Sequence, residues 1–164
     1  MANRPKAKGT QFESACVGFL RERLDDDRIE RRALHGNSDM GDIYGLVAHG
    51  HRGIVECKNY KEYGPSDLDD WKRQTEDERC NADADFALLV VHRRGIGRRR
   101  FGENDCFMQV RDLAKVMGGH VYAGEGALDM WVRVSLEDAC RMMEGLYDAR
   151  QRGKVLHGDA LRRR

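Results

Sequence analysis

A chain of 164 residues, 40% hydrophobic and with only 2 prolines, can bury one sizeable core and is short for two. Its charged residues reach 35% yet almost cancel, to a net +1, which excludes a polyanion binder that works through whole-molecule charge alone. No run approaches the roughly 20 apolar residues of a membrane helix, the basic opening has no apolar leader core, and the 5 cysteines are odd in number with no C-x-x-C pair, so a reduced, cytoplasmic protein without membrane attachment is expected.

Residues 1–9 are polar and basic without periodicity and read as a flexible arm. Thr10-x-x-Glu13 has the spacing of a capping box, and Phe12, Ala15, Cys16, Phe19 and Leu20 recur at helical intervals, which predicts a helix from Thr10 to the Asp25-Asp26-Asp27 loop. A short strand over 28–33 leads into a turn-rich loop at 35–41. Two strands, 42–48 and 53–58, are joined by His49-Gly50-His51-Arg52 as a hairpin. The two histidines have ligand-like spacing, but the turn accounts for them without a metal.

A helix over 66–81 follows, started by Pro65 or Ser66, with Leu68, Trp71 and Thr75 on its inner face. The unbroken apolar run 86–91 predicts a central strand covered on both faces. Residues 93–104, glycine-punctuated and rich in arginine, read as a basic loop. Beyond it a strand (106–110), a short helix (112–117), a strand (130–134) and a helix (135–150) capped by Ser135 extend the core. The apolar spacing of Leu136, Ala139, Cys140, Met143 and Leu146 suits either the core or a second subunit. The order predicts one α/β domain, a mixed sheet flanked by helices, with the motifs in 10–92 and a C-terminal extension over 105–164.

Chemistry concentrates at the paired strands. Glu56 and Lys58, two apart on a strand, share a face, and Asp42 begins the strand that runs back beside them. Two carboxylates and a lysine at one strand end suit Mg²⁺ or Mn²⁺, which polarise phosphate and activate water. A second acid-x-Lys, Asp70-Trp71-Lys72, falls inside the predicted helix, where residues two apart diverge, and reads as helix surface. The clumps Arg31-Arg32, Arg93-Arg94 and Arg98-Arg99-Arg100 suit phosphate contacts.

Gly9-Thr10-x-Phe12-Glu13, Gly36-Asn37-Ser38-Asp39-Met40-Gly41-Asp42-Ile43 and Gly53-Ile54-Val55-Glu56-Cys57-Lys58 together resemble the archaeal-type Holliday junction resolvases and their phage relatives, within the PD-(D/E)xK nuclease superfamily. The resemblance spans about the first 92 residues; Gly41 stands where the family name has proline, and nothing after residue 100 matches. It implies a restriction-endonuclease-like core with Asp42, Glu56 and the main-chain carbonyl of Cys57 as metal ligands, and Lys58 aligning the attacking water. It further implies Glu13 as a helix-borne acid assisting metal or water, Ser38 near the scissile phosphate, and Gln74 on the helix after the lysine strand. Each of the last three has a plainer role available: capping acid, turn residue and helix surface. The implied function is an endonuclease that leaves 5′-phosphate and 3′-hydroxyl ends, cutting four-way DNA junctions as a homodimer in the cytoplasm. A restriction- or repair-type enzyme acting on linear or flapped DNA, and a non-catalytic DNA-binding module, are the alternatives.

Overall fold

The computed structural model describes residues 4–33, 39–119 and 129–144, with side chains from Lys8 onward. Helix α1 (Arg4–Leu24) leads through a two-residue strand β1 (Glu30–Arg31) to β2 (Ile43–Ala48) and β3 (His51–Lys58). Helix α2 (Pro65–Asn81) crosses to β4 (Phe86–Val91), and a 3-10 turn (Arg98–Glu103) precedes β5 (Asp105–Gln109), α3 (Val110–Val116), β6 (Trp131–Ser135) and α4 (Leu136–Glu144). The six strands form one mixed sheet in sequence order, antiparallel throughout except for the parallel pair β3–β4 that α2 connects. Among the described residues no helix is long and apolar enough to cross a membrane.

The alternation of β4 explains the layering. Phe86, Leu88 and Val90 pack with Phe12, Cys16 and Leu20 of α1 and Leu136, Ala139 and Cys140 of α4, whereas Leu89 and Val91 meet Trp71 of α2 on the other face. All six β4 residues are buried, as its continuous apolar run demands. Gly53, opposite Phe86 in the β3–β4 register, leaves room for that ring: a Cβ there would lie 2.2 Å from the phenyl. Gly53→Ala should therefore cost about 2 kcal/mol by overpacking and lower the melting temperature by about 5 °C, measurable by calorimetry.

The hairpin turn is His49-Gly50, both with positive φ (50° and 86°) between the paired Ala48 and His51, the two-residue form suited to strand twist. The register Leu46↔Gly53 changes to Ile43↔Val55, so β2 carries one extra residue around Gly45. Gly45 has φ 84°, and a Cβ there would sit 2.0 Å from the Arg28 carbonyl oxygen. This bulge brings Asp42 level with Glu56 instead of Cys57, and in a strand a one-residue slip exchanges faces.

Three expectations need correction. The first helix starts at Arg4, not Thr10: residues 4–9 lack apolar periodicity but continue the same helix, with Pro5 in its first turn, so Thr10–Glu13 cannot be a terminal capping box. The edge strand expected over 28–33 reduces to Glu30–Arg31. The basic segment is only partly an exposed loop, because Phe101 packs on Phe12 and Phe19 and pulls the 3-10 turn onto α1. At α4 the Ser135 Oγ accepts a hydrogen bond from Asp138 N at 3.0 Å, as expected of its cap, while the predicted continuation over 145–150 lies outside the described residues.

Candidate active site

At the end of the β2–β3 hairpin the predicted residues come together. Cys57 N donates to Asp42 Oδ2 at 2.9 Å, tying the carboxylate to the β3 backbone. Lys58 Nζ lies 2.6 Å from Glu56 Oε1 and donates to Gln74 Oε1 at 2.8 Å. The Glu56–Lys58 pair is not a solvated surface bridge, since its side chains are only 6% and 11% exposed. With Lys8, Gly9, Glu13, Asn59, Tyr60 and Lys61, residues Asp42, Glu56, Cys57 and Lys58 line a cavity of about 420 Å³.

Burial sets the electrostatics. Asp42 is pushed up to about 8, first by burial, then by repulsion from Glu56 and Glu13, with the Cys57 N–H opposing. Glu56 is pushed up to about 7, again by burial first, against the attraction of Lys58 and with the repulsion of Glu78. Burial pulls the Lys58 ammonium down, but Glu56, with Glu78 and Asp42, offsets it and the net shift is upward. Lys58 is held as a cation beside acids that resist ionising without further positive charge.

Glu13 projects from α1 into the same cavity and pairs with Arg31 at 3.2 Å, so its carboxylate serves the cleft rather than a helix terminus. Gln74 faces Lys58 and is more than helix surface. Asp70-Trp71-Lys72 lies on α2 with Trp71 turned inward and Lys72 3.4 Å from Asp69, which makes it the helix surface expected. Ser38 lies outside the described residues.

The arginines divide. Arg31 is bound to Glu13, and Arg32 stacks over Tyr44 at 5.1 Å. Arg93, Arg94, Arg98, Arg99 and Arg100 are all exposed, and Arg100 is paired with Glu103 at 2.5 Å. Arg98 lines a second cavity of about 610 Å³ between α1 and the 92–101 segment, and this cavity shares Lys8 and Asn59 with the first. The basic turn thus adjoins the cleft.

Sequence reasoning missed Glu78. It occupies the inner face of α2 one turn beyond Thr75, is 1% exposed, and neither carboxylate oxygen receives a hydrogen bond among the described residues. Glu56 and Gln74 lie close enough to influence it without meeting hydrogen-bond geometry, and burial first of all pushes it up to about 7. The available signal was the continuation of the Trp71–Thr75 face by three residues, which puts an acid where an apolar residue is ordinary.

Among the described residues no three His, Cys, Asp or Glu side chains converge as ready-made ligands. A hard cation that retains several waters needs only one or two carboxylates, and the buried, mutually repelling Asp42 and Glu56 are a donor set that added positive charge would relieve. The residues present fit Mg²⁺ or Mn²⁺, with Asp42, Glu56 and the Cys57 carbonyl as the group that would hold it and Glu13 beside them. Comparison with protein-family models, with curated proteins and with solved structures returned no match.

Proposed function

We propose that this chain is a Mg²⁺-dependent endodeoxyribonuclease of the PD-(D/E)xK type with a restriction-endonuclease-like core, and that its substrate is a four-way DNA junction cut by a homodimer. The observation that carries the reading is the convergence of Asp42, Glu56 and Lys58 at one hairpin end, in a cleft flanked by lysines and near exposed arginines. Three residue types suited to metal-assisted hydrolysis of a phosphodiester thus meet across two strands, where an unrelated surface would scatter them.

A bound Mg²⁺ supplies charge neutralisation at the phosphate and a more acidic water. Lys58 Nζ, fixed between Glu56 and Gln74, orients water and meets the negative charge that develops on the phosphate oxygens. The Cys57 N–H holds Asp42 in place, and Glu13 adds an acceptor for a water proton at the cleft wall. Lys8 and Lys61, lining the same cleft, and Arg98 beside it, offer phosphate contacts along the strand. No covalent enzyme intermediate is required.

The test is cleavage of a labelled synthetic four-way junction beside flap, single-stranded and linear duplex DNAs, with Mg²⁺ or EDTA. Paired symmetric cuts confined to the junction and dependent on Mg²⁺ are expected. Equal cutting of linear duplex would move the enzyme to the restriction or repair type, and binding without cutting under any divalent metal would leave a DNA-binding module.

A further inference from the structure

The linker from β3 to α2 carries aromatic surface that the hydrolytic step does not use. Tyr60, 54% exposed, stacks on Trp71 with ring centroids 5.0 Å apart and planes at 28°, and Tyr63 leans on the same indole at 5.1 Å. Trp71 is in turn seated on Leu89, Val91 and Phe107 of the sheet. Tyr60 is therefore a braced ring rather than a swinging one. It also lines the cleft that contains Asp42, Glu56 and Lys58, next to Lys61.

Among the described residues, nothing covers the outer face of this ring, which stays 54% exposed in a cleft walled by acids and lysines. The flat partner that belongs beside a phosphate is a nucleobase, and stacking accepts any base because each presents a π face. Within an intact duplex those faces are covered by neighbouring base pairs. Only an unpaired base or an interrupted helix has one to offer.

We infer that Tyr60, backed by Trp71, is a stacking platform for a nucleobase whose face is left uncovered, unpaired or at a branch, beside the phosphate in the cleft, so that the substrate is DNA whose helix is interrupted at the cut. The inference rests on the nuclease reading of the cleft and narrows it, setting uninterrupted linear duplex aside.

Three DNAs carrying 2-aminopurine, a single strand, a flap with the analogue unpaired and an intact duplex, are titrated in EDTA, where emission reports stacking and no hydrolysis intervenes. Wild type and Tyr60→Phe should bind the interrupted DNAs and quench the analogue. Tyr60→Ala and Tyr60→Leu should bind them about tenfold more weakly and lose the quenching, with intact duplex unaffected. Tyr60→Leu keeps apolar cover on Trp71, so melting temperatures of the variants separate loss of a π face from loss of packing. Wild-type affinity and quenching in Tyr60→Leu, or equal weakening on all three DNAs, would overturn the platform.

Adding Mg²⁺ separates this idea from the one beneath it. Tyr60-dependent quenching without cutting would support the platform and remove the nuclease reading. Cutting of all three DNAs equally by wild type and Tyr60→Leu would keep the nuclease and remove the platform.

Discussion

Glu56→Gln should lower DNA hydrolysis on the order of a thousandfold while leaving DNA affinity unchanged or higher. Glutamine preserves the volume of a residue that is 5% exposed, so the packing of β3 against α2 is retained. What disappears is a formal negative charge at the cleft and with it the ionic part of the contact that holds Lys58 at 2.6 Å. Lys58 keeps Gln74, at 2.8 Å, and has Glu78 nearby to replace the lost charge, which prevents a bare buried cation. Affinity is spared because an acid beside a phosphate repels it. Gel-based single-turnover cleavage and electrophoretic binding on the same junction check both halves. Hydrolysis at the wild-type rate would dismiss the site assignment, and an equal fall in binding would make Glu56 a structural residue.

Without divalent metal, the protein should lose stability as pH rises from about 5 to about 8.5. Asp42, pushed up to about 8, and Glu56 and Glu78, each pushed up to about 7, hold protons in the folded state that the unfolded chain has released. Groups raised by folding contribute stability that is complete below their unfolded pKa, near 4, and that is lost as pH climbs through the folded values. One net proton retained over about two pH units is worth about 3 kcal/mol, or a fall of about 10 °C in melting temperature for a domain of this size. Asp26 and Glu76, held down by Arg28 and by Arg79 and Arg111 against the opposing effect of burial, act in the other direction, but their contribution is lost only as pH falls below the ordinary carboxylate range. Asp42→Asn should flatten the slope above neutrality. Millimolar Mg²⁺ should raise the melting temperature more at about pH 8.5 than at about pH 6, because cation and protons compete for the same oxygens. A melting temperature that is flat across this range in EDTA would refute the buried-acid account.

How far the site could be seen in advance depends on how local its geometry is. Asp42, Glu56 and Lys58 were legible because a hairpin is a short-range device: the β-rich stretches either side of His49-Gly50 dictate that the start of β2 lies beside the end of β3. The finer alignment was not legible, since it depends on the extra residue at Gly45, whose backbone is pressed against Arg28 from a different segment. Glu13 was read as a helix-borne acid, with a capping role as its plainer alternative because its spacing from Thr10 is right and the residues before Thr10 show no apolar repeat. Only the continuation of α1 back to Arg4 makes that role unavailable.

The sequence by itself determined the order of helices and strands, the hairpin, the buried central strand and the cap of α4, since each follows from periodicity or turn chemistry within a few residues. The tertiary structure alone decided which groups gather around that hairpin from a distance. It set Glu78 of α2 against Glu56, gave Lys58 its Gln74 partner, paired Arg100 with Glu103 and braced Tyr60 on Trp71. The reason is physical: burial and pairing depend on which helix face meets which sheet face, and no local pattern encodes the neighbour across a packed interface.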